Sequence, residues 1–341
     1  LKSDTLELSI VNDNLLLRII GEKAKEVRFP RFVEIDMITV SYGNDNVILW
    51  KSYSWIARLD REVEAYNSAR KKSFKGNSSL MSQYRIGAVN YLNSKPLIEG
   101  LQELLPEAEL VLDFPSKLAD MLAAGKIDVG LIPSAEYLAR PNYRQISNAC
   151  VATRGPVLSV KLYGRKPFSE IETLALDEGS RTSVLLTRVL LAQRYNLFPE
   201  LQNLPLGHTV ESSDADAVLV IGDRAIHPPE EKFVEIWDLG EEWTNWCNLP
   251  FVFAVWAASE EKELSAVARA LETARNHGLN RFAEIAQREA AVLGIDEKVA
   301  YDYLNQNLYF HLGEEEQQGL ELFSKLAEEL IPQQIGLTVE S

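Results

Sequence analysis

The chain has 341 residues, enough for two domains. Its 46% hydrophobic and 25% charged content is that of a soluble globular protein, and a formal net charge of −15 argues against a nucleic-acid surface and against an anionic membrane face. Cys150 and Cys247 stand apart and form no CxxC pair, which argues against a disulfide framework or zinc site and fits a reducing cytoplasm.

Residues 1–80 have a different character. They hold thirteen Lys and Arg against eleven Asp and Glu, so the remaining chain carries −17. Strand-like runs occur at 6–10, 15–20, 37–42 and 47–50, with no sustained helical period. The stretch Arg70-Lys-Lys-Ser-Phe-Lys-Gly-Asn-Ser-Ser79 has a basic linker composition, and Met81 follows. We read residues 1–80 as an extension unrelated to the rest, appended before Met81, and expect it to pack poorly. No run reaches transmembrane length, and the start lacks the order of a secretory signal.

The stretch Tyr84-Arg-Ile-Gly-Ala-Val-Asn-Tyr-Leu-Asn-Ser-Lys-Pro-Leu97 reads as strand, polar turn and helix. Residues 86–89 form an apolar run; Leu97, Ile98, Leu101, Leu104 and Leu105 have helical spacing behind Pro96. Strands and helices then alternate: strand 108–114, helix 116–124, strand 128–134, helix 135–139, and apolar runs 149–153 and 157–163. Gly164-Arg-Lys-Pro167 marks a crossing into a second lobe with strand 171–176, helix 184–195 and strand 215–223. A strand at 249–256 returns the chain, and everything after residue 260 reads as helical. The alternation predicts a mostly parallel sheet in each of two α/β lobes, 83–165 plus 252–333 and 166–251. With a helical C-terminal tail on the first lobe, this is the layout of a periplasmic-binding-protein-like type II fold, whose ligand sits in the cleft.

Four turns at the carboxyl ends of strands share one composition: Asn90, Asn93 and Ser94; Ser134; Ser180, Arg181, Thr182 and Ser183; Gly222 and Asp223. Any one is more often a helix cap than a site. Together they suit a cleft that binds carboxylates through hydroxyls, amides and helix N-termini. Ser159, before the first crossing, either faces the cleft or fills a sheet position. Arg181 either meets a substrate carboxylate or pairs with Asp177 or Glu178. Among the aromatic residues Tyr91 is the first candidate to stack on a cyclic ligand; Trp243, Trp246, Phe251, Phe253 and Trp256 read as core. None of the four histidines lies in these turns, and HExxH, G-x-S-x-G and Walker patterns do not occur.

The residues 85–97, Asp128-Val-Gly-Leu-Ile-Pro-Ser134, Ser180-Arg-Thr-Ser183, Ile221-Gly-Asp223, Asp238-Leu-Gly-Glu-Glu-Trp243 and Leu249-Pro-Phe-Val-Phe-Ala-Val-Trp256 resemble, in this order, the MqnA family. Its members are chorismate dehydratases of the futalosine route to menaquinone. The resemblance spans about 84–331 and leaves out 1–80. It implies a cytoplasmic carbon–oxygen lyase that takes chorismate to 3-[(1-carboxyvinyl)oxy]benzoate and water, with no cofactor and no metal. It implies an essential asparagine, carried by Asn93, and an essential serine, which we place at Ser159 with Ser134 and Ser183 as rivals. Tyr91, Ser94, Ser134, Arg181, Thr182, Ser183 and Asp223 are the expected substrate contacts; Ser94 stands where the family more often has threonine. The alternatives are a non-enzymatic solute-binding protein for a small carboxylate and the sister dihydroxynaphthoate synthase. No nucleic acid or membrane partner is expected, and the sequence sets no oligomeric state.

Overall fold

In the computed structural model the described residues are 84–259 and 262–334, with side chains to 330, together with the backbone of five strands between residues 5 and 50. The chain divides into two units, Leu1–Met81 and Ser82–Ser341. In the first, β1 (Thr5–Val11), β2 (Asn14–Ile20) and β3 (Lys25–Pro30) form an antiparallel meander, and β4 (Met37–Tyr42) pairs with β5 (Asp45–Trp50). The four expected strand runs coincide with β1, β2, β4 and β5; β3 was not foreseen. The linker at 70–79 and the packing expected of residues 1–80 lie outside the described residues.

The second unit is two-lobed, built on two mixed sheets. The first sheet comprises β6 (Arg85–Val89), β7 (Glu109–Asp113), β8 (Val129–Pro133), β9 (Tyr143–Thr153), β15 (Phe251–Ser259) and β16 (Tyr309–His311) in the order β16-β9-β15-β8-β6-β7. The second comprises β10 (Val160–Gly164), β11 (Thr173–Asp177), β12 (Glu200–Leu204), β13 (Ala217–Ile221) and β14 (Glu235–Asp238) in the order β12-β11-β13-β10-β14. Each sheet has three parallel strands, β7-β6-β8 and β12-β11-β13. The strands that carry the chain between lobes, β9, β10 and β15, run antiparallel to their neighbours. The expected mostly parallel sheets are thus mixed: the chain leaves the first sheet along β9 and returns along β15, so these neighbours run in opposite directions.

The first crossing lies between Thr153 and Val160, not at 164–168, since β10 pairs with β13 and β14 of the second sheet. The return lies between α5 (Leu239–Cys247, numbering below) and β15.

The helices are α1 (Leu101–Leu104), α2 (Pro115–Ala123), α3 (Ser134–Leu138), α4 (Thr182–Tyr195), α5, α6 (Ser265–Leu279), α7 (Phe282–Leu293), α8 (Glu297–Asp302) and α9 (Glu314–Gln334). The helix expected behind Pro96 is instead a 3-10 run, Leu92–Ile98, followed by the single turn α1. Gly100, at φ +73°, separates them in a left-handed conformation that only glycine adopts cheaply. The tail is helical except for β16, which adds a strand beside β9 where a helix was expected to continue.

Gly278 of α6 lies against Pro96; a Cβ there would stand 2.1 Å from the Pro96 carbonyl oxygen. Helix α6 therefore packs directly on the backbone of the turn that follows β6. Trp243, Trp256, Phe251, Phe323 and Tyr303 are fully buried, and Trp243, Phe251 and Phe323 meet edge to face. None of the described helices is long and apolar enough to cross a membrane.

Candidate active site

A cavity opens between the lobes, at the carboxyl ends of β6, β8 and β13. Its walls are Val89, Pro115, Pro133, Val151, Val157, Val160, Ile221, Phe253 and Ala254, with Tyr91, Asn93, Ser159, Ser180, Thr182 and Ser183 supplying the polar side chains. No Asp, Glu, Lys, Arg or His side chain lines it.

Each polar group is set by its element. Asn93 sits in the 3-10 run that begins where β6 ends, with Tyr91 just before it in extended conformation. The Tyr91 ring lies against Gly222 and edge-on to Phe114, 6.1 Å between centroids, and its buried hydroxyl, near Arg224, makes no hydrogen bond of good geometry among the described residues. Burial and the nearby Asp177 carboxylate hold its phenol well above the usual range.

Thr182 and Ser183 open α4, so the helix N-terminus adjoins the cavity. Thr182 Oγ1 accepts from the Ala135 amide at 3.2 Å and donates to the Phe253 carbonyl at 3.1 Å, so it ties the second lobe to the first. The Ser183 amide donates to Ser180 Oγ at 3.0 Å.

Ser159 ends the strap that joins β9 to β10. Its amide donates to the Val157 carbonyl at 2.7 Å, and its carbonyl accepts from the Gly222 amide at 2.9 Å. Before it, Leu158 has φ 64°, a conformation that costs a branched residue energy and persists only where neighbours enforce it. Asp238 enforces it: its carboxylate accepts from the Val157 amide at 2.8 Å and the Leu158 amide at 2.6 Å. The same carboxylate caps α5 through the amides of Gly240 and Glu241. The phenol of Tyr303, fully buried, donates to Ser159 Oγ at 2.7 Å, and the Asn93 side chain lies beside the same phenol.

Four expected contacts are not in the cavity wall. The Ser94 hydroxyl is used locally, on the carbonyls of Val89 and Tyr91. Ser134 donates to the Val252 carbonyl at 2.7 Å and lies 3.4 Å from Thr182 Oγ1. Arg181 meets neither a ligand position nor Asp177 or Glu178; it bridges to Asp120 at 2.6 Å and Glu136 at 2.8 Å across the cleft. Asp223 accepts from the Leu92 amide at 3.0 Å and lines a neighbouring recess with Asn90, Tyr91 and Arg224. Burial pushes the Asp223 carboxyl up to about 6, against the Leu92 hydrogen bond.

Asp177 is also off the wall. It is fully buried and accepts from Gly179 N, Ile221 N and, at 2.5 Å, Arg224. Burial raises its pKa even so. Among the described residues no group of three or more His, Cys, Asp or Glu is placed to hold a metal ion.

The model of a family described as "Menaquinone biosynthesis" matches residues 84–329. The chain belongs to this family. A chorismate dehydratase of Thermus thermophilus is 32% identical over 263 residues, 72% of this chain and 95% of that enzyme. Among solved structures, protein AF1704 of Archaeoglobus fulgidus superposes with a TM-score of 0.60 at 16% identity, covering 72% of this chain and 97% of that one. The periplasmic aliphatic sulphonate-binding protein SsuA of Escherichia coli superposes with a TM-score of 0.51 at 15% identity, covering 73% and 88%. The two structural likenesses speak to the fold alone, a periplasmic-binding-protein-like one.

Within the family's span, sequence reasoning passed over Tyr303 and Asp238 as site-forming residues. Asp238 carried a readable signal, an Asp three residues before Glu241 at a helix start. Tyr303 carried none: it is 144 residues from Ser159 along the chain, in a helical stretch of ordinary pattern. It lies on a π turn, Tyr303–Asn307, a widening of the helix frequent at functional sites.

Proposed function

We propose that this protein is a chorismate dehydratase, a lyase that converts chorismate to 3-[(1-carboxyvinyl)oxy]benzoate and water, with Asn93 and Ser159 as its catalytic residues. The observation that carries this reading is that Asn93 and Ser159, from different elements, line one interlobe cavity and adjoin one buried phenol. The family membership and the Thermus relative support it.

In the reaction the ring carbon that bears the enolpyruvyl ether loses its proton, and the C–H electron pair enters the ring. The C–O bond on the neighbouring carbon breaks, and the departing hydroxyl leaves as water with that proton. The ring becomes aromatic, so the step is strongly downhill and needs chiefly positioning and a proton acceptor. The wall offers no carboxylate or imidazole for the second role. Asp177 is committed to two amides and Arg224, and Asp223 faces the neighbouring recess. This favours the substrate's own enolpyruvyl carboxylate as acceptor. Asn93 and Ser159 then fix its pose and hydrogen-bond the leaving hydroxyl; Ser183 and the α4 N-terminus hold a carboxylate, and Tyr91 packs on the ring.

The test is purified protein mixed with chorismate, with aromatic product followed by absorbance. Asn93→Ala is expected to lower turnover about 100-fold, the usual scale for losing a positioned donor, while Asp177→Asn and Asp223→Asn retain turnover. Saturable chorismate binding without turnover in the wild type refutes the enzyme and supports a binding protein. Loss of turnover on one Asp→Asn change, with chorismate still bound, refutes the substrate-assisted step.

A further inference from the structure

The Ser159 backbone is pinned on both sides, by the Val157 carbonyl and the Gly222 amide. What its position leaves open is the hydroxyl, which carries one proton and turns freely about its C–O bond. A serine that lines a cavity is useful as a donor only if that proton points inward. In the fold, one group faces the back of this hydroxyl: the Tyr303 phenol, which is fully buried and donates to Ser159 Oγ at 2.7 Å.

We propose that Tyr303 is a positioning residue, which occupies the rear lone pair of Ser159 and so turns the serine proton into the cavity. The inference rests on the reading of Ser159 as a catalytic donor. Because a hydroxyl that accepts a hydrogen bond donates a stronger one, the pair forms a relay of donors, Tyr303 to Ser159 to ligand. Burial pushes the Tyr303 phenol far above its ordinary pKa, so it stays a neutral donor. The Asn93 side chain lies near the same phenol.

Two further contacts show that this is a built arrangement. Tyr303 begins the π turn and Asn307 ends it. At that far end the Asn307 backbone carbonyl accepts from Thr153 Oγ1 at 2.8 Å, and the Asn307 side-chain Nδ2 donates to the Pro156 carbonyl at 2.9 Å. The turn thus grips the strap at its start, through Asn307, and at its end, through Tyr303. The C-terminal tail is in this way part of the site.

Tyr303→Phe removes one oxygen and leaves the ring. Kinetics on chorismate for the wild type, Tyr303→Phe, Ser159→Ala and the double variant, with melting curves for each, provide the test. The expected result is a drop in kcat of about 10-fold for Tyr303→Phe, with KM changed less than about 3-fold, and little further loss when Phe is added to Ser159→Ala. A merely structural phenol would give losses that multiply. Multiplying losses, a kcat within about 2-fold of wild type, or a Tyr303→Phe chain unfolded at the assay temperature each overturn the proposal. An inactive wild type overturns the chorismate reading and this inference with it, whereas an active wild type beside an unaffected Tyr303→Phe overturns this inference alone.

Discussion

Asp223 shows how far burial can hold a side chain from its ordinary chemistry. Its carboxyl is raised from 3.8 to about 6, chiefly by burial. Between those values the folded chain holds a proton that the unfolded chain has released, so stability falls as pH rises from 3.8 to about 6 and is level beyond. Asp223→Asn keeps an oxygen for the Leu92 amide and removes the titration. The melting temperature of the wild type is expected to decline across that window relative to the Asn variant; parallel curves would contradict it. In the sequence Asp223 looked like the other turn residues, as did Ser94 and Ser134. All sit where strands end, and a hydroxyl or carboxylate there serves the backbone as readily as a ligand. Tyr91, Asn93, Thr182 and Ser183 were legible because strand ends in an open α/β sheet face the cleft. Which of their neighbours turned away depends on side-chain direction, and residue type does not encode that.

At Val157 and Leu158 the strap between β9 and β10 is held by one carboxylate at the head of α5. Asp238→Ala strands the Val157 and Leu158 amides and uncaps the helix. A loss of about 2–4 kcal/mol of stability is expected, from one cap and unpaired donors, and a denaturant midpoint reads it. Asp238→Asn is not a silent replacement, since its NH₂ must face one of the two amides as donor against donor. An Asn variant as stable as the wild type would refute the two-pronged grip. The elements themselves were largely readable where a buried apolar run announced them, as in β6, β8, β13 and β15. The strand β12 was missed because four of its five residues are exposed on a sheet edge and show no alternation. The four-residue strand β14 was too short to carry a period. The helix predicted after Pro96 failed at Gly100, whose left-handed backbone ends the 3-10 run before an α-helix can propagate.

Across the whole molecule the lobes are joined face to face by the Ala135–Thr182 and Leu92–Asp223 contacts and by the two ion pairs of Arg181. Opening the cleft further would break these contacts, the hinge motion usual for two-lobed binding folds. Arg181, read from sequence as a substrate contact or a local ion pair, is a latch because α2 and α3 of the other lobe bring Asp120 and Glu136 to it, a meeting of distant segments that no local pattern foretells. The uncharged wall of the cavity reaches beyond the chemistry to the encounter itself. On the proposed function a doubly anionic chorismate would approach a body of net charge −15 and find no cationic side chain among the described residues of the wall. Repulsion extends about 30 Å at 0.01 M ionic strength and about 8 Å at 0.15 M. Added salt should therefore speed capture, and kcat/KM for chorismate should rise over that range, whereas a site built on an arginine clamp would lose it. A falling kcat/KM would contradict this. With kcat/KM rising in this way, the ionic strength of the surroundings would govern capture of the proposed substrate in the opposite sense to that of an electrostatically steered site.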